Sequence, residues 1–435
     1  MRRAKISMLI LLCILTAGLC GILIYGISGR GLYSWGGSTG SYGSYGSPQL
    51  VMEKEVPLDG IDHITVQYDM NNNDIYIYEG EGDVLTIREY NELALEEKDL
   101  STVTVSGSGV EIRGRRRNGN SFRIQVGRFG IRSAYGYTEI RLPASYKGQL
   151  SLSSASGDIR SEMDISLAEG FQAEAVSGDV VIPNITASKV SLGSSSGDIK
   201  VYAVSAGIND SAGAVDIETV SGDINVGQLA GEIDIESSSG EITVKQLTGA
   251  TKIKSISGNI ESESIAGDAW LGTTSGDIAV QRIDGAVTAE SSSGGVKILA
   301  GAGGRNVKTT SGDIRLEGME GSWETHSSSG GVWIKAKEGS GSISTTSGDI
   351  SLELEKLAGN LNIESSSGQA KIRLLSDNAF DFKANTSSGD IETFFDDDLN
   401  FSRKGNSADG TYGKNSDGNS IVVRTTSGDV QVTER

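Results

Sequence analysis

Three aspartates, Asp277, Asp313 and Asp349, each close the phrase Thr-Thr-Ser-Gly-Asp and stand 36 residues apart. Carboxylates repeated on a glycine-paced turn could do two kinds of chemistry. One is calcium binding, in which Gly-Gly-x-Gly-x-Asp loops supply oxygen ligands from successive turns. Here the second Gly-x-Asp step is missing, and Gly295, Gly331 and Gln369 take the aspartate's place in alternate units. A calcium-binding β-roll is therefore the lesser alternative. The other is acid–base catalysis, which needs a unique local cluster of acid, base and cation. A carboxylate recurring copy after copy is a structural device instead. His63 and His326 are the only histidines, and Cys13 and Cys20 both sit in the apolar N-terminal stretch. A His-based metal site and thiolate chemistry are out of reach. The expectation is a protein without catalytic residues, cofactor or metal.

Two other residue groups could make contacts. Seven arginines lie between Arg113 and Arg132 in an otherwise acidic chain. Arg115, Arg116 and Arg117 are candidates for anionic envelope polymers or lipid head groups. The plainer reading makes them the solvated face of a hairpin, because strand alternation sends them outward anyway. Trp270 and Trp333 fall on outward positions of the repeat and could stack on sugars, against the plainer reading of scattered surface aromatics; Trp323 falls on an inward one. The net charge of −19 argues against nucleic acid, which requires a basic face.

These side chains ride on a repeat. From Gly222 to Gly348 a glycine occupies every ninth position, and alternate ones close the Ser/Thr-rich turns: Gly222, Gly240, Gly258, Gly276, Gly294, Gly312, Gly330 and Gly348. The sequence unit is 18 residues, as in "DINVGQLAGEIDIESSSG" from Asp223 to Gly240. Its second and fourth positions are mostly Ile, Val or Leu around a polar one, which is period-two strand patterning. A second alternating piece follows the mid-unit glycine. Each glycine marks either positive φ or an approach too close for a Cβ. One such unit cannot fold alone, so copies must stack. The fold class predicted is all-β: a parallel β-solenoid of about 18-residue units. A 36-residue coil is the alternative. It would stack the three aspartates directly, at roughly 0.9 kcal/mol per neighbouring pair in water, which favours 18.

The remaining chain divides by texture. Residues 1–29 open with Arg2, Arg3 and Lys5 before 22 uncharged positions, Ile6 to Ile27. That length spans a bilayer as a helix, and the basic flank places the N-terminus in the cytoplasm. A cleaved signal peptide is the competing reading. Residues 30–49 form a Gly/Ser/Tyr linker. Residues 50–150 read as a non-repeating β region capping the solenoid, with a helical turn only in "NELALEEKDL". The repeat solenoid is expected over 151–395. Residues 396–435 are expected to hold a polar loop and closing strands.

The stretch "EIRLPASYKGQLSLSSASGDI" (Glu139 to Ile159), the recurrent Ser-Gly-Asp-Ile and the closing "VVRTTSGDVQV" carry a family likeness. The chain resembles the bacterial adhesin family of domains of unknown function with β-strand repeats, from about Leu50 onward. The resemblance implies a surface-exposed, non-enzymatic β-solenoid. The expected function is a membrane-anchored extracellular surface protein, adhesin or envelope-binding module. Its expected partners are the cell membrane, through the N-terminal helix, and an envelope polymer or surface protein. A structural or signalling role in cell-envelope stress is the alternative.

Overall fold

A computed structural model describes residues 47–69, 73–115, 135–208 and 211–435. Among them no helix is long and apolar enough to cross a membrane. The expected transmembrane helix, most of the linker, Arg116 and Arg117 lie outside the described residues.

The repeat winds into parallel layers. Ile242–Thr248 pairs in parallel with Ile224–Ala230 on one side and Ile260–Ala266 on the other, each offset by 18 residues. On a second face Thr251–Ser255 pairs in the same way with Glu232–Ser237 and Ala269–Thr273. One coil is therefore 18 residues, not 36. Inward positions stack apolar side chains, such as Ile242, Ile260, Ile278, Val296 and Ile314, all essentially buried. Lys245 and Gln246 are both exposed, so period two breaks there and the first strand turns a corner before Leu247 points in again.

The turn explains the glycines. Gly312 has no positive φ, yet a Cβ on it would lie 2.0 Å from the carbonyl oxygen of Gly294 in the layer before. The Thr309 hydroxyl donates to that same oxygen at 3.0 Å and accepts the Gly312 amide, also at 3.0 Å. The mid-unit glycines differ: Gly249, Gly267 and Gly285 have φ of +118°, +135° and +148°. The two reasons for glycine anticipated from sequence both operate, at different corners of the coil.

The turn aspartates stitch layers. Asp277 Oδ1 accepts the Gly295 amide at 2.7 Å, Asp313 Oδ1 the Gly331 amide at 2.8 Å, and Asp349 Oδ1 the Gln369 amide at 2.9 Å. Asp158, Asp179, Asp198 and Asp223 form the same bond in four consecutive layers. Directly stacked aspartates are thus tolerated. The repulsion argument reached the correct coil length from a premise that fails nearer the N-terminus, because amide donors offset the like charges. Asn259 does the same task without charge, accepting the Asp277 amide at 2.9 Å. Asp313→Asn should therefore leave stability within about 0.5 kcal/mol, whereas Asp313→Ala should cost about 1 kcal/mol. Urea melts of both variants, with and without chelator, check this; a chelator-dependent midpoint would reinstate the calcium reading.

Both ends depart from simple succession. His63–Tyr68 lies between Gly109–Arg113 and Gln149–Ser154, parallel to each. Asn73–Gly80 lies between Gly136–Pro143 and Ile159–Ser161. Strands from the region expected to be non-repeating thus form layers themselves. Antiparallel strands lie beyond them: Thr102–Ser106 on one face, Val84–Asn91 and then Gln49–Pro57 on the other. The helical turn is confined to Glu97–Asp99.

At the far end, Ser420–Thr425 slots between Ile350–Ser365 and Phe380–Asn385, and Val430–Glu434 between Ala370–Leu374 and Ile391–Thr393. The last strand pair is one layer in from the end. The stretch expected as a polar loop contains two strands, Leu399–Phe401 and Ser407–Tyr412, paired antiparallel. Ala408 buries there and Phe395 just before it, apolar anchors for a segment whose charge had masked them.

Candidate functional site

The outward positions divide between the two faces. On the first face one stack runs Asn225, Thr243, Glu261, Ala279, Lys297, Arg315, Trp333, Ser351. On the second face another runs Asp234, Lys252, Trp270, Thr288, Asn306, Glu324, Ser342. Trp270 and Trp333 are both outward, as their register predicts, but on different faces. They do not build one site.

Each tryptophan has its own seat. A Cβ on Gly272 would come within 2.3 Å of the Trp270 ring, and one on Gly331 within 2.6 Å of the Trp333 ring. Each indole lies across a glycine two residues away, Gly272 on the same strand and Gly331 in the turn just before it. In the layers flanking Trp270, the position of Gly272 is Lys254 and Glu290, whose side chains would occupy that space. Trp333 stands 43% exposed in a cleft of about 530 Å³ with Arg315, Glu317, Lys335 and Glu353. Its charges are mutually engaged: Arg315 Nε with Glu317 at 2.5 Å, and Arg373 with Glu353 at 3.2 Å.

The larger feature is a trough of about 950 Å³ on the second face. Ala250, Asp268, Ala286, Gly304 and Ser322 form one side of its floor in successive layers. Trp270, Thr288, Asn306, Glu324 and Ser342 form the other. The trough thus follows the stacking direction. Four carboxylates line it, Glu232, Asp234, Asp268 and Glu324. The Lys252 ammonium is clamped by both Asp234 oxygens at 2.9 Å and Glu236 at 2.8 Å. Partial burial pulls Lys252 down, but the Glu236 and Asp234 carboxylates outweigh it and hold the ammonium above its usual range. In the layer before, Asp216 titrates above the usual carboxylate range, first because water is displaced from it and then because Asp234 faces it. The trough and its surroundings are electronegative.

Beneath the trough the core holds two large polar side chains. Arg305 takes the inward position of Val287 one layer on, and Trp323 follows it; each is 3% exposed. Trp323 was placed inward by its register. Arg305 was legible by the same count and was missed. Its guanidinium donates to the carbonyls of Ile283 at 2.8 Å, Gly285 at 2.7 Å, and Ala302 and Gly304 at 3.2 Å. Burial pushes it below the usual arginine range, against a smaller pull from Asp284. Arg305 Nε, Trp323 Nε1 and Asn306 Oδ1 are buried without a hydrogen-bond partner.

Among the described residues no group of three or more His, Cys, Asp or Glu is placed to hold a metal ion. Of the candidate basic patch, Arg115 is described: its guanidinium donates to the Lys98 carbonyl at 3.1 Å. A tyrosine cluster on Asn73–Gly80 and the strands beyond it was not read from sequence. Tyr90 stacks on Tyr137 with centroids 4.6 Å apart, and Tyr76 meets Tyr137 edge-on at 5.5 Å. The alternation in Asn73–Gly80 could have shown Tyr76 and Tyr78 sharing an outward face.

Parallel 18-residue coils bearing aromatic seats and an axial trough define a β-solenoid of the layered-scaffold kind. The chain belongs to the Toastrack DUF4097 family, whose model matches residues 61–265 and 252–433. No curated protein matches it. Among solved structures it is similar to the "putative cell adhesion protein" of Clostridium sporogenes ATCC 15579, at 9% identity and a TM-score of 0.18, covering 89% of this chain and all of that one. It is also similar to the "putative adhesin" of Parabacteroides distasonis ATCC 8503, at 12% identity and a TM-score of 0.17, covering 89% and 97%. At these TM-scores neither superposition bears on the fold.

Proposed function

We propose that this chain is a non-catalytic, adhesin-type surface protein that holds an extended envelope polymer along the second face of its solenoid. An N-terminal helix over 6–27 anchors it in the cell membrane with the N-terminus cytoplasmic. The Gly/Ser/Tyr linker then carries the β body outside. The observation that carries this reading is the trough of about 950 Å³ following the stacking direction. Its size falls in the range of ligand sites, and its axial course suits an elongated ligand. The carboxylates found at the turns have structural partners, which supports binding rather than turnover.

The test is retention of envelope polymers on the immobilised full chain in detergent micelles. Retention by the wild type, reduced about tenfold or more by Ala286→Tyr on the trough floor, is the expected result. Equal retention by both would remove the trough from the function. Retention of nothing would leave a structural or stress-signalling role as the better reading.

A further inference from the structure

We infer that the ligand of the Trp270 trough is an uncharged, linear polysaccharide laid parallel to the stacking direction, with one sugar ring on the indole. The inference deepens the binding function proposed above and rests on it.

Three observations carry it. The Trp270 platform is built: the ring lies over Gly272, where the layers on either side carry Lys254 and Glu290. A flat, half-buried indole with an open face suits the apolar face of a pyranose. Beyond the platform the outward side chains shrink to Thr288 and Asn306 before Glu324 and Ser342, while Ala286, Gly304 and Ser322 run beside them. The trough therefore continues over layers spaced ~4.8 Å apart, long enough for several rings, with Glu324 as a hydroxyl acceptor at its side.

The second observation is charge. Glu232, Asp234, Asp268 and Glu324 border the trough, and its one exposed cation, Lys252, is already held by Asp234 and Glu236. A polyanion such as a polyuronate, a polyphosphate-linked wall polymer or nucleic acid would meet like charge. A neutral glycan would not. Carboxylates and amides are also the side chains that accept hydrogen bonds from sugar hydroxyls.

The third is the polar inventory. The outward Thr288, Asn306, Glu324 and Ser342 bring hydroxyl, amide and carboxylate groups along the trough, the donors and acceptors that sugar hydroxyls pair with. An extended peptide fits less well. Peptides added to sheets pair with an open edge, and the trough lies across a face whose strands are hydrogen-bonded on both sides.

The experiment is calorimetric titration of the full chain, in detergent micelles, with two neutral hexasaccharides, cellohexaose and chitohexaose, and one anionic one, hexagalacturonate. Binding of a neutral hexasaccharide is expected, with hexagalacturonate at least about tenfold weaker. Trp270→Ala should weaken the neutral ligand about tenfold, Trp270→Phe less, and Trp333→Ala less than about twofold. Equal or tighter binding of hexagalacturonate overturns the inference, as does an unchanged affinity in Trp270→Ala. If neither neutral sugar binds while the full chain still retains envelope polymer in an Ala286→Tyr-sensitive way, the ligand class is wrong and the trough function stands. If nothing is retained in either experiment, both fall together.

Discussion

Replacing Gly312 with alanine is expected to cost about 3 kcal/mol or more, although the change adds one methyl group to a turn whose neighbouring residues, Ser311 and Asp313, are exposed. The Cβ would lie 2.0 Å from the Gly294 carbonyl oxygen. That oxygen cannot retreat, because Thr309 is hydrogen-bonded to it. Nor can the layer slide the other way. Gly330 approaches the Gly312 carbonyl just as closely, with a hypothetical Cβ at 1.9 Å. The strain must therefore open a layer interface, and the solenoid should lose cooperativity there. Two controls isolate the cause. Ser311→Ala, one residue away and exposed, should change stability by less than about 0.5 kcal/mol. Gly170→Ala, where the nearest atom is the Lys189 carbonyl oxygen at 3.7 Å, should be tolerated equally well. Urea denaturation followed by circular dichroism ranks the three, and a mild Gly312→Ala would show that the layers are looser than described.

The second large effect is expected at Arg305. Its guanidinium is buried with only a weaker pull from Asp284, and it donates to four backbone carbonyls where 283–285 and 302–304 approach each other. Removing it takes a donor from all four carbonyls, of which Ala302 and Gly304 keep the Gly285 and Val287 amides, and leaves a cavity beside Trp323. Arg305→Ala should destabilise by about 3–5 kcal/mol. Arg305→Lys keeps a cation but loses the planar fork, so it should recover only part of the loss. Arg305→Met, apolar and long, should fill the space without satisfying the carbonyls. If Met proves as stable as Arg, volume rather than hydrogen bonding holds this corner. Amide exchange at Gly285 and Gly303, whose N–H groups bond the Ala302 and Glu320 carbonyls, distinguishes local opening from global loss.

The layers could be read from the chain because each depends on nearest neighbours alone. Gly, Ser/Thr and Asp recur at fixed offsets, and each offset corresponds to one contact with the preceding coil. The ends could not be read this way. That Ser420–Thr425 slips beneath Phe380–Asn385 is a pairing between distant segments, and nothing local encodes it. The same holds for His63–Tyr68 beneath Gly109–Arg113. Charge patterning misled at 396–412, where Ala408, with Phe395 just before it, anchors a segment that composition alone marks as loop.

The candidate site was legible in half. The register put Trp270 outward, but its glycine seat and the small floor of Ala286, Gly304 and Ser322 emerge only when 18-residue neighbours are laid side by side. Trp333 was paired with it by residue type. The two faces separate them.

Distances along the stack offer the most direct test of the winding on which the binding face depends. Spin labels at Ser239 and, in turn, Ser293, Ser311, Ser329 and Ser347 occupy exposed serines of one turn three, four, five and six coils apart. Layered winding gives separations near 14, 19, 24 and 29 Å, rising by about 4.8 Å per added unit. Separations that fail to grow with the number of intervening units, as in a compact antiparallel sandwich, would contradict it.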